Sequence, residues 1–271
     1  MRRAIALGAL ALSGALFAVS NHESEVLAWR ADRVKTLTAE DGWLSLAGLF
    51  WLHEGPNQFG KDPSNDIPIP DGPAHAGVFE FHQGAVTYQG KELKPDASDP
   101  VKVGRASLFV IKRSDKFGIR VKDPETEARR NFHGFQYFPI SDEYRIVAKW
   151  VPEPKTIPIL NVIGQTQPSP NPGYAVFQLH GHEYKLYPIL ETLDATQLFY
   201  IFRDQTSGKE TYPAGRFFYS DMPREGKVVL DFNKAYNPPC AFTPYATCPL
   251  PPPENRLAVR IEAGEKKYGD H

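Results

Sequence analysis

The residues best suited to chemistry lie in a proline-rich stretch near the end of this 271-residue chain, DFNKAYNPPCAFTPYATCPLPPPENRLAVRIEAGEKKY (231–268). Seven prolines between 238 and 253, with no helical or strand period, predict a long but rigid loop. Its polar and aromatic side chains can meet if the loop folds back between the predicted strands 227–232 and 256–262. These side chains are Asp231, Asn233, Tyr236, Asn237, Glu254, Asn255 and Arg256.

Carboxylate, amide and aromatic groups in one place suit a small polar ligand or a glycan. Aromatic rings stack on the apolar faces of sugars, while amides and carboxylates bind the hydroxyls. A second interpretation is that these groups satisfy backbone donors and acceptors that the prolines leave unpaired. A third makes Asp231 and Glu254 the carboxylate pair of a hydrolase, which requires them to lie roughly 5 to 10 Å apart across a cleft.

Two arginines, Arg203 and Arg216, lie near the ends of predicted strands. They belong to a set of opposite charges that are close in sequence, as solvated ion pairs usually are. If both arginines instead point into the fold, they form an anion site that grips a carboxylate or a phosphate through paired hydrogen bonds. The other members of this set are Arg120, Asp123, Asp204 and Glu210.

Cys240 and Cys248 are the only two cysteines. An even count in one short loop predicts a single disulfide in an oxidising compartment, worth roughly 2.5 kcal/mol on the chain-entropy model. The alternatives are two buried thiols that only pack, or a thiol that acts as a nucleophile or a metal ligand. No histidine lies between His182 and His271, so a nucleophile would need a base from elsewhere in the fold.

The motifs of several familiar chemistries are absent, among them GxGxxG, the phosphate loop, GxSxG, SxxK, HExxH and CxxC. We therefore predict neither a cofactor nor a metal site. The closest histidine pair, His180 and His182, is separated by a glycine, which favours a turn over two ligands on one strand face.

The elements that must position these residues are mostly short strands. The chain has 25 prolines and 21 glycines, which interrupt helices of normal length but not strands. About a dozen candidate strands predict a mainly β fold, an antiparallel barrel or sandwich, forming a single β-rich domain over 41–271. The apolar run WLSLAGLFWL (43–52) predicts a strand in the core.

One helix is expected before the strands. Leu27, Ala31, Val34 and Leu37 recur at helical spacing among charged residues, which predicts an N-terminal amphipathic helix over 21–40 that is ended by Gly42.

Residues 1–20 have the plan of a secretory signal peptide. Arg2 and Arg3 precede an apolar run, and Ala18 and Ser20 supply small residues for cleavage after Ser20. The run is shorter than the roughly 20 residues of a spanning helix, so we expect a periplasmic or secreted protein with no membrane span after cleavage. Near-balanced charge, 31 basic against 32 acidic residues, offers nucleic acid no electrostatic attraction.

Three segments together resemble an uncharacterised bacterial family, domain of unknown function 1684. They are DGWLSLAGLFWLHEG (41–55), DQTSGKETYPAGRFF (204–218) and DFNKAYNPPCAFTPYATCPLPPPENRL (231–257). The resemblance extends from about Asp41 to Tyr268. It implies membership without a reaction, so it assigns no catalytic residue.

We predict an exported protein that binds a small polar ligand or glycan beside the proline-rich loop, because the polar and aromatic groups are present and the standard catalytic motifs are not. One alternative is a cell-envelope hydrolase that uses a carboxylate pair. The other is a structural or partner-binding envelope protein, which would have an exposed apolar patch and no deep pocket.

Overall fold

The structure is a computed structural model that describes residues 21–269. Helix α1 (Asn21–Leu37) confirms the predicted N-terminal helix and ends three residues earlier than expected. Gly42 follows in the turn, where a Cβ atom would collide with the carbonyl oxygen of Leu37. Only glycine lets the chain turn back this closely. A second, one-turn helix is α2 (Glu127–Arg130). The predicted signal peptide lies outside the described residues.

Within the described residues the fold is mainly β, as predicted. Its fifteen strands are β1 (Leu46–Trp51), β2 (Gly55–Gly60), β3 (Ile67–Pro68), β4 (Gly77–His82), β5 (Ala85–Tyr88), β6 (Lys91–Leu93), β7 (Val101–Val103), β8 (Ala106–Arg113), β9 (Lys116–Lys122), β10 (Arg145–Leu160), β11 (Thr166–Leu179), β12 (His182–Leu186), β13 (Gln197–Phe202), β14 (Arg216–Asp221) and β15 (Lys227–Asp231).

The first nine strands form two sheets that face each other in a sandwich-like arrangement. One sheet has the order β1-β9-β8-β7, and the other has the order β3-β2-β4-β5-β6. All pairings are antiparallel except β2 with β3. Phe59, Phe79, Leu108 and Ile119 belong to the core between the two sheets. The opposite face of β8 and β9 is thereby left to contact the rest of the chain.

The last six strands form a second pair of sheets. β12-β11-β10-β15 is one antiparallel sheet, and β13-β14 is a two-stranded ribbon. One face of the ribbon packs Tyr200 and Phe218 into the main core with Phe232. The other face packs Phe199 and Phe217 into a smaller core. Since side chains alternate along a strand, one ribbon serves both cores.

Two predicted strands differ from the structure. The run 43–52 begins as a 3-10 helix (Trp43–Ser45), and only the rest of it is β1, whose Trp51 is 36% exposed. The run 256–262 is not a strand: Leu257 and Val259 pair with the backbone of Arg203 and Gln205 around a single bridge, and farther along the carbonyl oxygens of Ile261 and Ala263 accept hydrogen bonds from the Arg216 side chain.

Neither helix within residues 21–269 has the length and apolar character needed to cross a bilayer.

Candidate functional site

A cleft of about 820 Å³ lies beside the proline-rich loop. Its walls come from α1, the far end of the β10–β11 hairpin, the β13–β14 ribbon, the loop itself and the N-terminal sheets. The loop contributes Tyr236, Pro239, Thr247, Cys248 and Pro249. The predicted loop therefore does border a cavity, but most of the lining comes from residues outside the loop.

Stacked aromatic rings form one wall of the cleft. Phe199 and Tyr219 are cross-strand partners on β13 and β14, and their rings stack at 4.8 Å between centroids. Tyr219 in turn stacks on Tyr236 at 6.4 Å, with an angle of 15° between the ring planes. Trp29 of α1 meets Tyr236 at 6.2 Å. Aromatic surface of this kind can cover the apolar face of a ligand.

Polar tips of this wall form a hydrogen-bonded chain. The Tyr219 hydroxyl donates to Oε2 of Glu191 at 2.7 Å. The Tyr236 hydroxyl is hydrogen-bonded to Tyr219, whose single proton is already given to Glu191. Burial raises the pKa of both tyrosines above the usual phenol value, so both remain neutral at physiological pH. The wall thus offers acceptor oxygens and a carboxylate next to its rings.

Helix α1 is fastened to the loop by Arg33. Its guanidinium lies 4.5 Å from the Tyr236 ring centroid, donates from Nε to Oε1 of Glu265 at 3.1 Å, and donates from Nη2 to the Asn237 carbonyl at 2.9 Å. Glu265 is fully buried, and this burial raises its pKa in spite of the attraction of Arg33. Arg33 thus lies over the Tyr236 ring and binds the carbonyl of the next residue, Asn237, which holds that ring in position.

The first turn of α1 is fastened separately. His22 Nδ1 lies 2.7 Å from Oδ1 of Asp142, and Nε2 lies 3.0 Å from Oδ2 of Asp231. The imidazole therefore bridges two carboxylates, one before β10 and one at the end of β15. Together with Arg33 it fixes both ends of the helix that presents Trp29 to the cleft.

The N-terminal sheets supply the opposite wall. Trp43, Asp96 and Arg113 line the cleft. Nη1 of Arg113 donates to both carboxylate oxygens of Asp96, at 3.0 and 3.2 Å, and Nε donates to Oγ1 of Thr247 in the loop at 3.0 Å. The bond to Thr247 joins the N-terminal sheet to the proline-rich loop across the cleft.

A second cavity, of about 710 Å³, adjoins the first and shares Trp29, Tyr219 and Tyr236 with it. Its lining includes four basic residues and three acidic residues, namely Arg145, Arg224, Lys227, Lys234, Glu25, Asp221 and Asp231. The aromatic wall is thus exposed to two adjoining spaces, which together form an elongated site.

The residues predicted from the sequence do not all meet. Tyr236 lines both cavities, and Asp231 lines the second. The three asparagines are buried and bind the backbone: Asn233 that of Ser141, Asn237 that of Lys266, and Asn255 that of Tyr187 and Ile201. They fill the role of the second interpretation, in which polar groups satisfy an irregular backbone.

The charged candidates separate in the same way. Arg203, Glu254 and Arg256 are exposed and line neither cavity. Arg216 is fully buried, where Nη2 donates to the Ile261 carbonyl at 2.9 Å and to Oδ1 of Asp204 at 3.4 Å, and Nη1 donates to the Ala263 carbonyl. The structure thus places Arg203 and Arg216 in different environments, and Arg216 is occupied by groups of the chain itself.

The predicted disulfide is not formed, since Cys240 and Cys248 are both free. The backbone N–H of Cys240 donates to Sγ of Cys248 at 3.1 Å, so the second sulfur serves as a hydrogen-bond acceptor. The contact between the thiols lowers the pKa of Cys240 and raises that of Cys248, which is also buried. Cys248 lines the cleft.

Several residues of the cleft were not found from the sequence. Tyr219 could have been placed by strand alternation, because it lies between buried Phe218 and Ser220 and must face the other side of β14. Trp29, Trp43, Arg113 and Glu191 carry no local signal, since they meet only through the packing of distant segments.

Among residues 21–269, no three or more His, Cys, Asp or Glu side chains are placed to hold a metal ion.

Comparison with known proteins identifies a family. The model of the family described as a protein of unknown function, DUF1684, matches residues 130–266, which include the segments 204–218 and 231–257 but not 41–55. The chain is also similar to the solution NMR structure of an uncharacterized protein of Haloarcula marismortui, at 31% identity, with 55% of this chain and 85% of that chain covered and a TM-score of 0.46. No curated protein matches the chain.

Proposed function

Because this chain belongs to the DUF1684 family, whose description names no reaction, we propose from its own geometry that it is an exported protein that binds a small polar ligand or a glycan in the aromatic cleft. The observation that carries the proposal is the aromatic wall, in which Tyr219 stacks on Tyr236 and Trp29 meets Tyr236 at an angle of 44°, with Glu191 hydrogen-bonded at its edge. Rings and a carboxylate in one wall complement the two kinds of surface that a sugar presents.

The size of the site supports the same proposal. A cleft of about 820 Å³ lies within the range of small-molecule sites, roughly 300 to 1,000 Å³. The adjoining cavity of about 710 Å³ gives room for a second unit of a longer ligand. A structural or partner-binding protein has no need of such spaces, so binding of a small ligand is the better-supported function.

The hydrolase alternative finds less support. Asp231 already accepts hydrogen bonds from the side chain and backbone of Asn233 and contacts His22 and Lys234. Glu254 is exposed and lines neither cavity, so the two carboxylates do not face each other across either of them.

The proposed export rests on the leader pattern of residues 1–20 alone.

Tryptophan fluorescence tests the binding proposal, because Trp29 and Trp43 both line the cleft. Titration with a panel of mono- and oligosaccharides should change the emission in a saturable way for at least one compound. Tyr219→Phe removes the hydroxyl that binds Glu191 and should lower the affinity for that compound about tenfold. Tyr245→Phe, a change at an exposed loop tyrosine outside the cleft, is the matched control. A panel in which no sugar changes the emission contradicts the proposal.

A further inference from the structure

A row of positive charges crosses the exposed face of the β12-β11-β10-β15 sheet. Lys149 on β10 and Lys227 on β15 are direct cross-strand partners, so their side chains leave the sheet on the same face. Arg224 lies opposite Lys227 on its other side, across the tight turn at Glu225-Gly226, where two backbone hydrogen bonds of 2.9 Å join the pair. Three cations therefore lie side by side on neighbouring segments.

A fourth cation extends the row in the other direction. Val176 on β11 is opposite Lys149, and Lys185 on β12 is opposite Val176. With about 4.8 Å between neighbouring strands, the distance from one end of the row to the other is roughly 19 Å. All four basic residues are exposed. We call them the cation row: Arg224, Lys227, Lys149 and Lys185.

The chain does not neutralise the cation row. Within residues 21–269, none of its four side chains forms an ion pair or a hydrogen bond with the protein. Glu183, on the same face of β12 as Lys185, instead accepts a hydrogen bond from Gln178 at 3.3 Å. Like charges directly opposite each other on a sheet are destabilising, and a ligand that carries negative charges removes this repulsion.

One end of the cation row opens into the second cavity. Arg224 and Lys227 line that cavity together with Arg145, which likewise has no side-chain partner in the described part of the chain. The same cavity contains Tyr219 and Tyr236 of the aromatic wall. The row and the wall therefore border one continuous space.

The carboxylates of the second cavity do not balance these charges. Asp231 is bound by His22 and Lys234, and Glu25 accepts a hydrogen bond within α1. Among the described residues of the lining, Asp221 is then the one carboxylate without a side-chain partner, against three such cations. The space next to the aromatic wall thus favours a ligand with negative charge.

We propose that the cation row binds an acidic glycan, a chain of sugars whose carboxylates repeat along its length. The inference rests on the proposed function and names the ligand class. The row is one side chain wide and leads into a cavity with an aromatic wall, so it complements a linear polyanion better than a flat anionic surface such as a bilayer. Carboxylates of the glycan pair with the basic side chains, and the sugar rings at one end pack on Tyr219 and Tyr236.

Isothermal titration calorimetry with matched acidic and neutral hexamers tests the inference. The probes are hexagalacturonate, hexamannuronate and the methyl ester of each, which keeps the sugar and removes the charge. We expect at least one acidic hexamer to bind about tenfold or more tightly than its ester at low salt. This difference should shrink as the salt concentration rises, because salt screens exposed charges.

The outcomes separate the inference from the proposed function. Equal binding of each acid and its ester overturns the inference but not the proposed function. No binding by any of the four hexamers overturns the inference, and a saccharide panel that also leaves the tryptophan emission unchanged overturns the proposed function as well.

The double variant Lys149→Gln/Lys227→Gln removes two adjacent charges of the cation row. It should reduce the affinity for the acidic hexamer to that for its ester. Lys94→Gln/Lys102→Gln, at two exposed lysines of the N-terminal sheets, changes the net charge equally and should bind like the parent protein. An equal loss in both double variants would show that only net charge matters, which overturns the inference.

The melting temperature shows that a loss of binding is not a loss of folding. Without ligand, Lys149→Gln/Lys227→Gln should melt about 1 to 2 °C above the parent protein, because the two like charges no longer face each other.

Two other anions identify other kinds of partner. Co-sedimentation with phosphatidylglycerol vesicles, in the absence of binding to any acidic hexamer, would mean that the cation row contacts a membrane. Linear hexaphosphate that binds as tightly as the better acidic hexamer would mean that the row holds any polyanion without recognising sugar. Either result overturns the inference.

Discussion

Buried polar side chains in this protein mostly hold its irregular C-terminal segment in place. Arg216 is the largest of them, and its guanidinium binds the carbonyl oxygens of Ile261 and Ala263, beyond the point where Leu257 and Val259 pair with the backbone of Arg203 and Gln205. Asp204 completes the arrangement by accepting from the Ile261 N–H at 2.7 Å. A side chain thus does work that a neighbouring strand does elsewhere in the fold.

Replacing Arg216 by methionine should therefore lower the free energy of unfolding by about 3 to 5 kcal/mol, because Asp204 and two carbonyl oxygens lose their buried partner. Urea unfolding followed by circular dichroism measures this loss. The control Arg203→Met changes an exposed arginine and should stay within about 0.5 kcal/mol of the parent protein. Equal losses in both variants would contradict the structural role of Arg216.

The two thiols should differ in reactivity. Hydrogen bonding by Cys248 lowers the pKa of Cys240, so the Cys240 thiolate forms at a lower pH than that of an ordinary cysteine. Alkylation by iodoacetamide, followed by mass spectrometry across a pH series, should modify Cys240 first and reach its plateau at the lower pH. Cys248→Ala removes the hydrogen bond and should shift the profile of Cys240 to higher pH. Preferential labelling of Cys248 would contradict this assignment.

The limits of the sequence are clearest at single residues. Tyr236 was predicted as a binding residue and lines both cavities, whereas Asn233, Asn237 and Asn255 look equally suited to a ligand in the sequence. Whether an amide faces a ligand or the backbone depends on which carbonyls the folded loop leaves unpaired. That information is absent from the order of residues, since the partners lie up to 92 positions away.

Among the elements, α1 joins parts of the chain that are distant in sequence. His22 binds it to Asp142 and Asp231, and Arg33 binds it to Glu265. Its helical period was readable from the sequence, but its attachment was not, because the two fastening residues lie outside the apolar stripe on which the prediction rested.

His22→Ala should loosen the first turn of α1, because it removes two hydrogen bonds and leaves Asp231 with fewer partners. We expect amide hydrogen exchange over residues 21–30 to quicken by about tenfold or more, as one or two lost hydrogen bonds allow easier local opening. Mass spectrometry of peptides from the exchanged protein measures this. His182→Ala, at an exposed histidine of β12, should leave the exchange of α1 unchanged. Unchanged exchange in both variants would mean that the bridge contributes nothing.

Strand prediction succeeded where turns have a local chemical cause. The hairpins β4–β5 and β5–β6 turn at Gln83-Gly84 and Gln89-Gly90, where both residues of each pair have positive φ angles, which tight hairpins require and glycine readily adopts. The segment PSPNPG (168–173), whose prolines are typical of a loop, runs inside β11. Its prolines remove ladder donors, and β10–β11 accommodates them with a register shift between Pro152 and Lys155.

For the molecule as a whole, the fold class was predictable, but the meeting of its parts was not. The density of proline and glycine determines short strands, and the open, sandwich-like sheets follow from that pattern. The cleft forms only where α1, the ribbon, the loop and the N-terminal sheets meet. No local pattern encodes such a junction.

Export also concerns the whole molecule. If residues 1–20 act as a signal peptide, the mature protein begins at Asn21, the first residue of α1. Mass spectrometry of the protein purified from an envelope fraction should give that terminus. Ala18→Leu, which removes one small residue of the predicted cleavage site, should cause the uncleaved form to accumulate. A cytoplasmic product that starts at Met1 would contradict export.

The cleft brings residues from distant parts of the chain to one small core, since Trp43 and Tyr236 both pack against the core that holds Phe199 and Phe217. Trp43 and Arg113 come from the N-terminal side, whereas Tyr219 and Tyr236 belong to the C-terminal strands and loop. A ligand bound between these two walls holds them together, since neither part of the chain can unfold without releasing the ligand. By thermodynamic linkage, occupancy raises the stability of both halves by the same amount and makes their melting more nearly concerted. A bound ligand would thus make the two parts of the protein unfold as one cooperative unit.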